Sequence, residues 1–390
     1  MSKRTGDLSS LKTQRAARAF TRRTLLKTAA ATGALAAVGP FVVSRRALSS
    51  SGTVKVFSWA GYFSDSMIAD FEKKTGITAE RVEFGSNEEQ MNTVKANQAK
   101  GFDLIMPTID RVPQYVNEGL LKPLDDSKID FAAVIDGNLR GSDEGGGTVD
   151  GKRYVAPTDW GTEALSFNKD EAPLEYGTAS YGDLWRPEFA GKVTCRGHSG
   201  LVGIGLYLQD AGKLPHSMRE AFADEKMMVA NYDIILAEAI ENKKSIAQFW
   251  GNENEAQGAF RTNGCVIGQT WDSTGARLWD EGLPIRYIAP KEGALAWIEG
   301  FGMLSGAENI EQAEAFINWY YTPEVGAQYA NETKINSTVK GADRFLNDFN
   351  KQFFAAAYPG DALDKLWSWP IQEAWFISKR NEYAEKFLAA

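Results

Sequence analysis

The stretch VKVFSWAGYFSDSMIADFEKKTGITAERVEFGSNEEQMNTVKANQAKGFDLIMP (residues 54–107) decides the fold class, because strand-like and helix-like segments alternate along it. The segments at 54–59 and 78–85 are strand-like and have the length of strands. Ser64 or Asp65 opens a helix that Gly76 ends, and Ser86 opens the next one. This order predicts an α/β fold whose largely parallel sheet carries helices on both faces.

Two large rings stand where the first of these strands ends. Trp59 and Tyr62 flank an Ala-Gly pair, outside any periodic segment that would bury them. Ser86 and the PTIDR turn at 107–111, which contains Asp110, follow the next two strands. Ligands of such sheets bind at the carboxyl ends of the strands. We therefore expect these side chains to form part of a binding surface.

The first fifty residues read as an export signal and not as part of the fold. They hold ten Lys and Arg against one acid, and an Ala- and Gly-rich apolar stretch at 28–43 that is shorter than the roughly 20 residues of a membrane span. TRRTLLK (21–27) is similar to the twin-arginine consensus read by an exporter of folded proteins; an ordinary secretory leader with paired Arg stays open. Either leader predicts export to the periplasm and removal of the segment, at a cleavage point that the sequence does not define.

The charge of the remaining chain excludes several partners. Removing those ten bases and one acid from totals of 43 and 51 leaves a net charge of −17. So acidic a body repels nucleic acid and anionic membranes and is compatible with a cationic ligand. Two His and two Cys in the whole chain make a metal site improbable, and no cofactor is expected. Cys195 and Cys265 could form a disulfide or remain buried thiols.

A second alternating region follows a glycine-rich stretch at 136–154, which we expect to be a surface excursion. The strand-like YVAPTDWGTEALSFN (154–168) comes first, then GKVTCRG, two helical stretches, GCVIGQTW and a strand-rich patch around ALAWIEGFGML. Two helices split near Pro323 come next. No change in composition separates the two α/β halves, so we expect several crossovers between two lobes of roughly 150 residues each.

The chain resembles the extracellular solute-binding protein family, in particular the branch of spermidine and putrescine receptors that feed ABC importers. The resemblance covers about residues 54–387. It lies in seven motifs in the family's order: FSWAGYFSDSMIADFEKKTGI, GFDLIMPTIDRVPQYVNEGLLKPLD, YVAPTDWGTEALSFN, YGDLWRPEFAGKV, VIGQTWDSTGARLW, PKEGALAWIEGFGM and EAFINWYYTPEVGAQYA. No single motif is diagnostic, but their order makes the assignment strong.

The resemblance implies the two-lobed periplasmic-binding-protein fold, whose lobes close on a ligand in the cleft between them. Lobe 1 would comprise residues 53–157 plus about 298–340, and lobe 2 about 158–297 plus 341–390. A small organic amine, a membrane ABC permease and the twin-arginine export machinery are the implied partners of a monomeric receptor.

The resemblance also implies the residues of the pocket. In the polyamine receptors aromatic rings sandwich the alkyl chain and carboxylates hold the ammonium groups. The matching positions here are aromatic (Trp59, Tyr62, Trp271 and Trp297) or polar (Glu299 and Gln372). Ser86 and Asp110 are candidates because they follow strands, and Trp160 and Glu163 either contact the ligand or only pack in the fold. Glu299 stands where those receptors usually have Asp, and Trp160 in DWGTE lies near the expected hinge.

One region departs from the polyamine pattern. The receptors carry an acidic pair at the start of the second lobe's first helix, whereas CRGHSGLVG (195–203) has no acid and offers Arg196, His198 and backbone amides. Such donors suit an anion. A pocket with aromatic rings and Glu299 at one end and these donors at the other would bind a zwitterion such as 4-aminobutyrate, a betaine or an aminophosphonate. Alternatively, Arg196 faces solvent and Asp272 or Glu163 binds a second ammonium. Both interpretations stay open.

Other classes of function fit less well. No nucleophile elbow, phosphate-binding loop or dinucleotide fingerprint is present, so we do not expect an enzyme. Related receptors ligate ferric iron with adjacent tyrosines, and WYYTP offers Tyr320 and Tyr321. These two lie in an amphipathic pattern beside Phe316 and Ile317, where packing in the core explains them.

Overall fold

The computed structural model describes residues 52–390, so the predicted leader lies outside the described residues. Within 52–390, no helix combines the length and the apolar character needed to cross a bilayer. The strands, in chain order, are β1 (Thr53–Trp59), β2 (Thr78–Phe84), β3 (Leu104–Ile105), β4 (Thr148–Val149), β5 (Lys152–Arg153), β6 (Val155–Asn168), β7 (Val193–Cys195), β8 (Ile246–Phe249), β9 (Ile267–Trp271), β10 (Ile285–Ile288), β11 (Leu295–Met303), β12 (Asn336–Ser337) and β13 (Trp367–Ser368).

The helices occupy the segments between these strands, as the sequence predicted. In chain order they are α1 (Asp65–Thr75), α2 (Asn87–Ala96), α3 (Val112–Asn117), α4 (Asp136–Ser142), α5 (Gly197–Asp210), α6 (Met218–Ala223), α7 (Glu225–Glu241), α8 (Glu253–Arg261), α9 (Asp272–Asp280), α10 (Ile310–Tyr320), α11 (Pro323–Thr333), α12 (Asp348–Ala357) and α13 (Ala374–Ala389). The Ser64 side chain accepts from the Met67 N–H at the start of α1, and Gly76 ends that helix with a positive φ of 72°.

One continuous sheet runs through the molecule in the order β2-β1-β3-β11-β6-β9-β7-β8, with β10 and β12 also on β6 and β13 on β11. The outer strands pair in parallel, as the alternating pattern predicted. The central pairs of β11 with β6, and of β6 with β9, are antiparallel. The prediction of a largely parallel sheet therefore holds only for the two flanks.

The long strands β6 and β11 join two hydrophobic cores. On β6 the core changes between Ala164 and Leu165, and on β11 between Leu295 and Ile298. The first core includes β1, β3, α1 and α10, and the second includes β7, α5, α7 and α13. Strands β6 and β11 therefore run from one lobe into the other. Helix α12 packs on the first core; the exact lobe bounds stay a prediction.

The two cysteines are free thiols in this fold. Both Cys195 and Cys265 are buried, and they form no disulfide. Burial raises the pKa of Cys265 to about 11 and raises that of Cys195 further. Since the thiolate is the reactive form, neither side chain reacts readily in the folded protein.

Candidate ligand-binding site

A cavity of about 510 Å³ opens between the two cores, at the carboxyl ends of β1, β2 and β9. It brings together residues far apart in sequence, from Trp59 at the end of β1 to Arg380 on α13. Ten of the side chains singled out from the sequence line it: Trp59, Tyr62, Asp110, Glu163, Arg196, His198, Trp271, Trp297, Glu299 and Gln372. That these residues bind a ligand stays a prediction.

A row of aromatic rings forms one wall of the cavity. The ring centroid of Trp59 lies 6.3 Å from that of Tyr62 and 6.4 Å from that of Trp271. Trp59 is fixed because its indole N–H donates to the Met106 carbonyl at 3.0 Å and its ring packs on Phe84. We call Trp271, Trp59 and Tyr62 the aromatic row; it presents preformed apolar faces to a ligand.

An acidic group terminates the Tyr62 end of the row. The Tyr62 hydroxyl donates to Glu299 Oε2 at 2.8 Å. Glu299 on β11 lies directly opposite Asp159 on β6, so both side chains leave the same face of the sheet. Asp159 in turn accepts from the Tyr329 hydroxyl at 2.8 Å. We call Glu299 and Asp159 the carboxyl pair.

The surroundings of the carboxyl pair favour its protonated form when the cavity holds no cation. Burial, and then the charge of Asp159, raise the pKa of Glu299 well above its usual range. Burial raises the pKa of Asp159 to about 7. Two buried carboxylates side by side cannot both ionise without a compensating charge. Of the two, only Glu299 lines the cavity, so an ammonium in the cavity would meet Glu299 first.

A glycine opposite Trp297 makes room for that ring beside the carboxyl pair. Trp297 on β11 pairs with Gly161 on β6. A Cβ at Gly161 would overlap the Trp297 ring and would lie 2.9 Å from Asp272 Oδ1. Only a glycine therefore lets the Trp297 ring lie across β6 at the edge of the cavity.

Basic side chains gather at the other end of the aromatic row. Arg111, Arg196, His198 and Arg380 line the cavity there. Arg111 and Arg380 both donate to Glu88 Oε1, at 3.0 and 2.8 Å. Although burial raises the pKa of Glu88, the charges of Arg380 and Arg111 hold it well below its usual range. We call these four basic residues, with Glu88, the basic end.

Arg196 differs from the other cations of the basic end. Its guanidinium carbon lies 5.1 Å from the ring centroid of Trp271 and 5.3 Å from that of Trp250. Among residues 52–390 it has no hydrogen-bond acceptor and no ion pair. His198 stays neutral because burial, and then the charge of Arg196, lower its pKa well below its usual range.

Three of the residues singled out from the sequence do not line this cavity. Ser86 caps α2 by accepting from the Glu89 N–H at 3.1 Å. Trp160 leaves β6 on the face opposite to Asp159 and Gly161, because successive strand residues alternate; it packs on Phe354 and Tyr358. It also lines a smaller, adjoining cavity of about 50 Å³, which shares Trp297 and Trp369 with the large one.

Asp272 is the third residue that lies outside the cavity. Its side chain is fully buried and accepts from the Tyr358 hydroxyl at 2.8 Å. Burial raises its pKa to about 7. Its hydrogen bonds are made inside the protein, so the idea that Asp272 binds a second ammonium has no support in the geometry. The other acid considered for that role, Glu163, does line the cavity.

Sequence reasoning missed several residues in or beside the site: Glu88, Arg111, Asp159, Trp250 and Arg380. Arg111 and Asp159 stand next to residues that were singled out, in PTIDR and DWGTE, and strand alternation could have indicated Asp159. Arg380 lies on the last helix, in a segment without any motif. Arg380 and Glu88 are almost 300 positions apart in the sequence, so no local pattern indicates their ion pair.

The two tyrosines considered as ligands of ferric iron form hydrogen bonds within the fold instead. The hydroxyl of Tyr320 donates to the Thr158 carbonyl at 2.8 Å, and that of Tyr321 to the Pro157 carbonyl at 3.1 Å. Both side chains are buried in the first core. The part of the chain that the structure describes contains no cluster of His, Cys, Asp and Glu that could hold a metal ion.

The Arg380–Glu88 ion pair gives a first testable prediction. It joins α13, in the second core, to α2, in the first. Arg380→Met removes this pair and the hydrogen bond to Gln372 at 2.6 Å. We expect the free energy of unfolding to fall by about 2 kcal/mol, less than for a fully buried pair because Glu88 is partly exposed. Urea denaturation measures this change.

A neighbouring ion pair supplies the control for Arg380. Lys379 lies 3.5 Å from Glu225, and the two side chains are 35% and 54% exposed. Lys379→Met should change the free energy of unfolding by no more than about 0.5 kcal/mol. If both variants lost the same free energy of unfolding, the Arg380–Glu88 pair would contribute no more to stability than an ion pair on the surface.

The sheet with two shared strands, two cores and a polar cavity between them defines a two-lobed receptor fold. The chain belongs to the bacterial extracellular solute-binding protein family, whose model matches residues 66–352. It is 27% identical over 268 residues to spermidine/putrescine-binding periplasmic protein 1 of Haemophilus influenzae, covering 68% of this chain and 70% of that one. It is 25% identical over 339 residues to the spermidine/putrescine-binding periplasmic protein of Escherichia coli, covering 87% and 92%.

Solved structures share the fold. The spermidine/putrescine ABC transporter substrate-binding protein of Streptococcus pneumoniae, solved with calcium and HEPES, superposes with a TM-score of 0.70 at 20% identity. The match covers 87% of this chain and 99% of that one. It confirms the periplasmic-binding-protein fold expected from the sequence.

Proposed function

We propose that this protein is the receptor of an ABC importer and captures a small amine-bearing solute, without chemical conversion, when its lobes close. The observation that carries the proposal is the position of Glu299 at the end of the aromatic row, inside a cavity between the two cores. The named functions of the relatives, which are polyamine-binding receptors, support it.

The site has the chemistry that a buried ammonium group requires. A cation over an aromatic face gains about 0.5–2 kcal/mol, and more where water is excluded. Trp59, Trp271 and Tyr62 present such faces, and Glu299 offers a carboxylate oxygen to replace the water that the ammonium loses. The methylene groups of the solute would pack against the same rings.

Lobe closure would convert binding into a signal for the permease. The cavity takes residues from both cores, so one ligand contacts both lobes at once. A ligand that binds the closed form better shifts the equilibrium towards it. A membrane permease that docks only with the closed form then receives loaded receptors.

The remaining features of the proposal follow from the sequence. The twin-arginine-like leader would bring the chain to the periplasm through the exporter of folded proteins, and would then be removed. We propose a monomer there, because one chain supplies both lobes and the whole cavity.

A thermal-shift screen of the purified protein tests the proposed function. The ligands are putrescine, spermidine, 4-aminobutyrate, glycine betaine and 2-aminoethylphosphonate, with succinate as a control that has no amine. An amine ligand at 100 times its Kd should stabilise the protein by about 2.7 kcal/mol, and NMR should recover it unchanged. The proposal is wrong if no amine raises the melting temperature, or if the ligand is turned over.

A further inference from the structure

We infer that the solute carries an anionic group as well as its amine, and that Arg196 binds this group, so the site takes a zwitterion in preference to a diamine. The inference rests on the proposed function and specifies the class of solute. It also chooses between the two interpretations that the sequence left open.

The first step is the hydrogen-bonding state of the cationic side chains around the cavity. Arg111 and Arg380 share Glu88, and Arg277 donates to the Thr333 carbonyl at 3.0 Å. Of the arginines that line the cavity in residues 52–390, Arg196 alone has no acceptor. A guanidinium presents five N–H donors in a plane, and those of Arg196 are available to a ligand because the residue lines the cavity without a protein acceptor.

The second step is the fixed orientation of Arg196. Trp271 belongs to the aromatic row, and Trp250 is held by its indole N–H, which donates to the Gln269 carbonyl at 2.9 Å. The two rings lie 4.8 Å apart between centroids, steeply inclined to each other, and the guanidinium contacts both. A guanidinium held in this way is preorganised for a planar anion such as a carboxylate.

The third step is the surroundings of Arg196 on the chain. It is the N-cap of the 14-residue helix α5, whose first backbone N–H groups have no partner within the helix. His198, on the first turn, lines the cavity in its neutral form. Helix start and guanidinium both favour negative charge, and both disfavour a second ammonium at this end.

The acids near Arg196 do not change this conclusion. Burial raises the pKa of Glu163, the charge of Arg196 acts against that rise, and Glu163 Oε1 accepts from the Gln269 side chain at 2.8 Å. It lies too far from Arg196 to form an ion pair. Asp272 is outside the cavity. A diamine would therefore place its second ammonium against an unpaired arginine.

The aromatic row lies between the acidic end of the cavity and Arg196. Two steps of 6.3 and 6.4 Å between ring centroids lead from Tyr62, at the carboxyl pair, to Trp271, which Arg196 contacts. A compound with its charges on adjacent atoms cannot reach both ends. The geometry favours an amine joined to its anionic group by a flexible chain of several methylenes.

Isothermal titration with four matched ligands tests the inference. Butylamine has the amine alone, putrescine adds a second amine, 4-aminobutyrate replaces that amine by a carboxylate, and 3-aminopropylphosphonate replaces it by a phosphonate. We expect 4-aminobutyrate, the phosphonate or both to bind at least tenfold more tightly than butylamine, and putrescine to bind more weakly than either. The two zwitterions distinguish a carboxylate from a phosphonate ligand.

Arg196→Met provides the second arm, with Arg286→Met as its matched control. Arg286 also stacks on a tryptophan, with its guanidinium carbon 4.0 Å from the Trp279 ring centroid, but it lies outside the cavity. Arg196→Met should weaken the zwitterion at least tenfold and leave butylamine within twofold, whereas Arg286→Met should change neither. Arg196→Lys keeps the positive charge but not the planar guanidinium with its parallel N–H donors. It should therefore lose less zwitterion affinity than Arg196→Met.

The outcomes separate this inference from the proposed function. Putrescine binding more tightly than both zwitterions to the wild-type protein would overturn the inference and leave the proposed function standing. Equal loss of butylamine and zwitterion binding in a folded Arg196→Met protein would also overturn it. Failure of every amine to bind would instead overturn the proposed function.

Discussion

Glu299→Gln lowers the affinity for an amine ligand by about 100-fold or more, which we expect to be the largest effect of any single substitution in the site. Glu299 is the member of the carboxyl pair that lines the cavity, and its Oε2 already accepts from Tyr62. Removing one partner of a buried charge pair costs about 2–5 kcal/mol, because the other charge is left without compensation. Isothermal titration of the wild-type and variant proteins measures the difference.

Two matched variants show whether the loss belongs to this carboxylate. Glu292, which also has a pKa raised by burial, accepts from the Tyr181 N–H and does not line the cavity. Glu292→Gln should leave the affinity within twofold. Asp159→Asn removes the like charge beside Glu299 and should therefore keep or increase the affinity. If Asp159→Asn weakened binding as much as Glu299→Gln, the ammonium would not be bound by Glu299 in particular.

The outer parts of the fold could be predicted from sequence because they depend on local patterns. The caps at Ser64 and Ser86 and the split between helices at Pro323 are local signals, and all three are where the sequence indicated. Helix α5 begins at Gly197, within the region where the sequence indicated a helix but not its first residue. Four glycines within this helix obscured its beginning, since glycine is a weak helix former.

The centre of the sheet could not be predicted in the same way, because it depends on pairing between distant strands. The apolar run at 155–168 fits a buried strand, but nothing local states that β11 and β9 both run antiparallel to it. The glycine-rich stretch at 136–154 was expected to be a surface excursion. That expectation was wrong for Gly146 and Gly147, which are buried against Pro113 and Ser142.

For the candidate site, the sequence could indicate rings and acids but not their partners. Trp59 and Tyr62 were recognisable because they follow a strand on a glycine-containing turn. Asp159 was not, because its role comes from lying opposite Glu299 across two strands 140 residues apart. The ion pair of Arg380 with Glu88 depends in the same way on the docking of the last helix, which no local pattern encodes.

The carboxyl pair makes binding depend on pH in a way that an ordinary surface carboxylate would not. With the cavity free of a cation, the pair holds a proton that neither carboxylate would hold in water, because burial raises the pKa of each. An ammonium group takes the place of that proton. Binding therefore releases about one proton wherever the free protein is protonated, and the affinity rises with pH by up to about tenfold per unit.

We expect the affinity to rise with pH through about pH 7 and to level off above the pKa of the pair. Titration calorimetry at several pH values, in two buffers with different ionisation enthalpies, counts the protons released. Glu299→Gln should abolish most of the release, and Asp159→Asn should move the rise to lower pH. An affinity that stayed constant or fell across this range would mean that the pair is already ionised in the free protein.

The stability of the free protein should change with pH in the opposite direction, which gives an independent check of the same protonation. A carboxyl group whose pKa is raised on folding contributes stability that is fully present below its unfolded pKa of about 4 and is lost as the pH rises through its folded pKa. Asp159 and Asp272 both have folded pKa values of about 7, so the melting temperature of the free protein should fall between about pH 4 and about pH 7. Asp272→Asn should flatten that fall without altering the pH dependence of affinity, because Asp272 does not line the cavity. Asp159→Asn should change both.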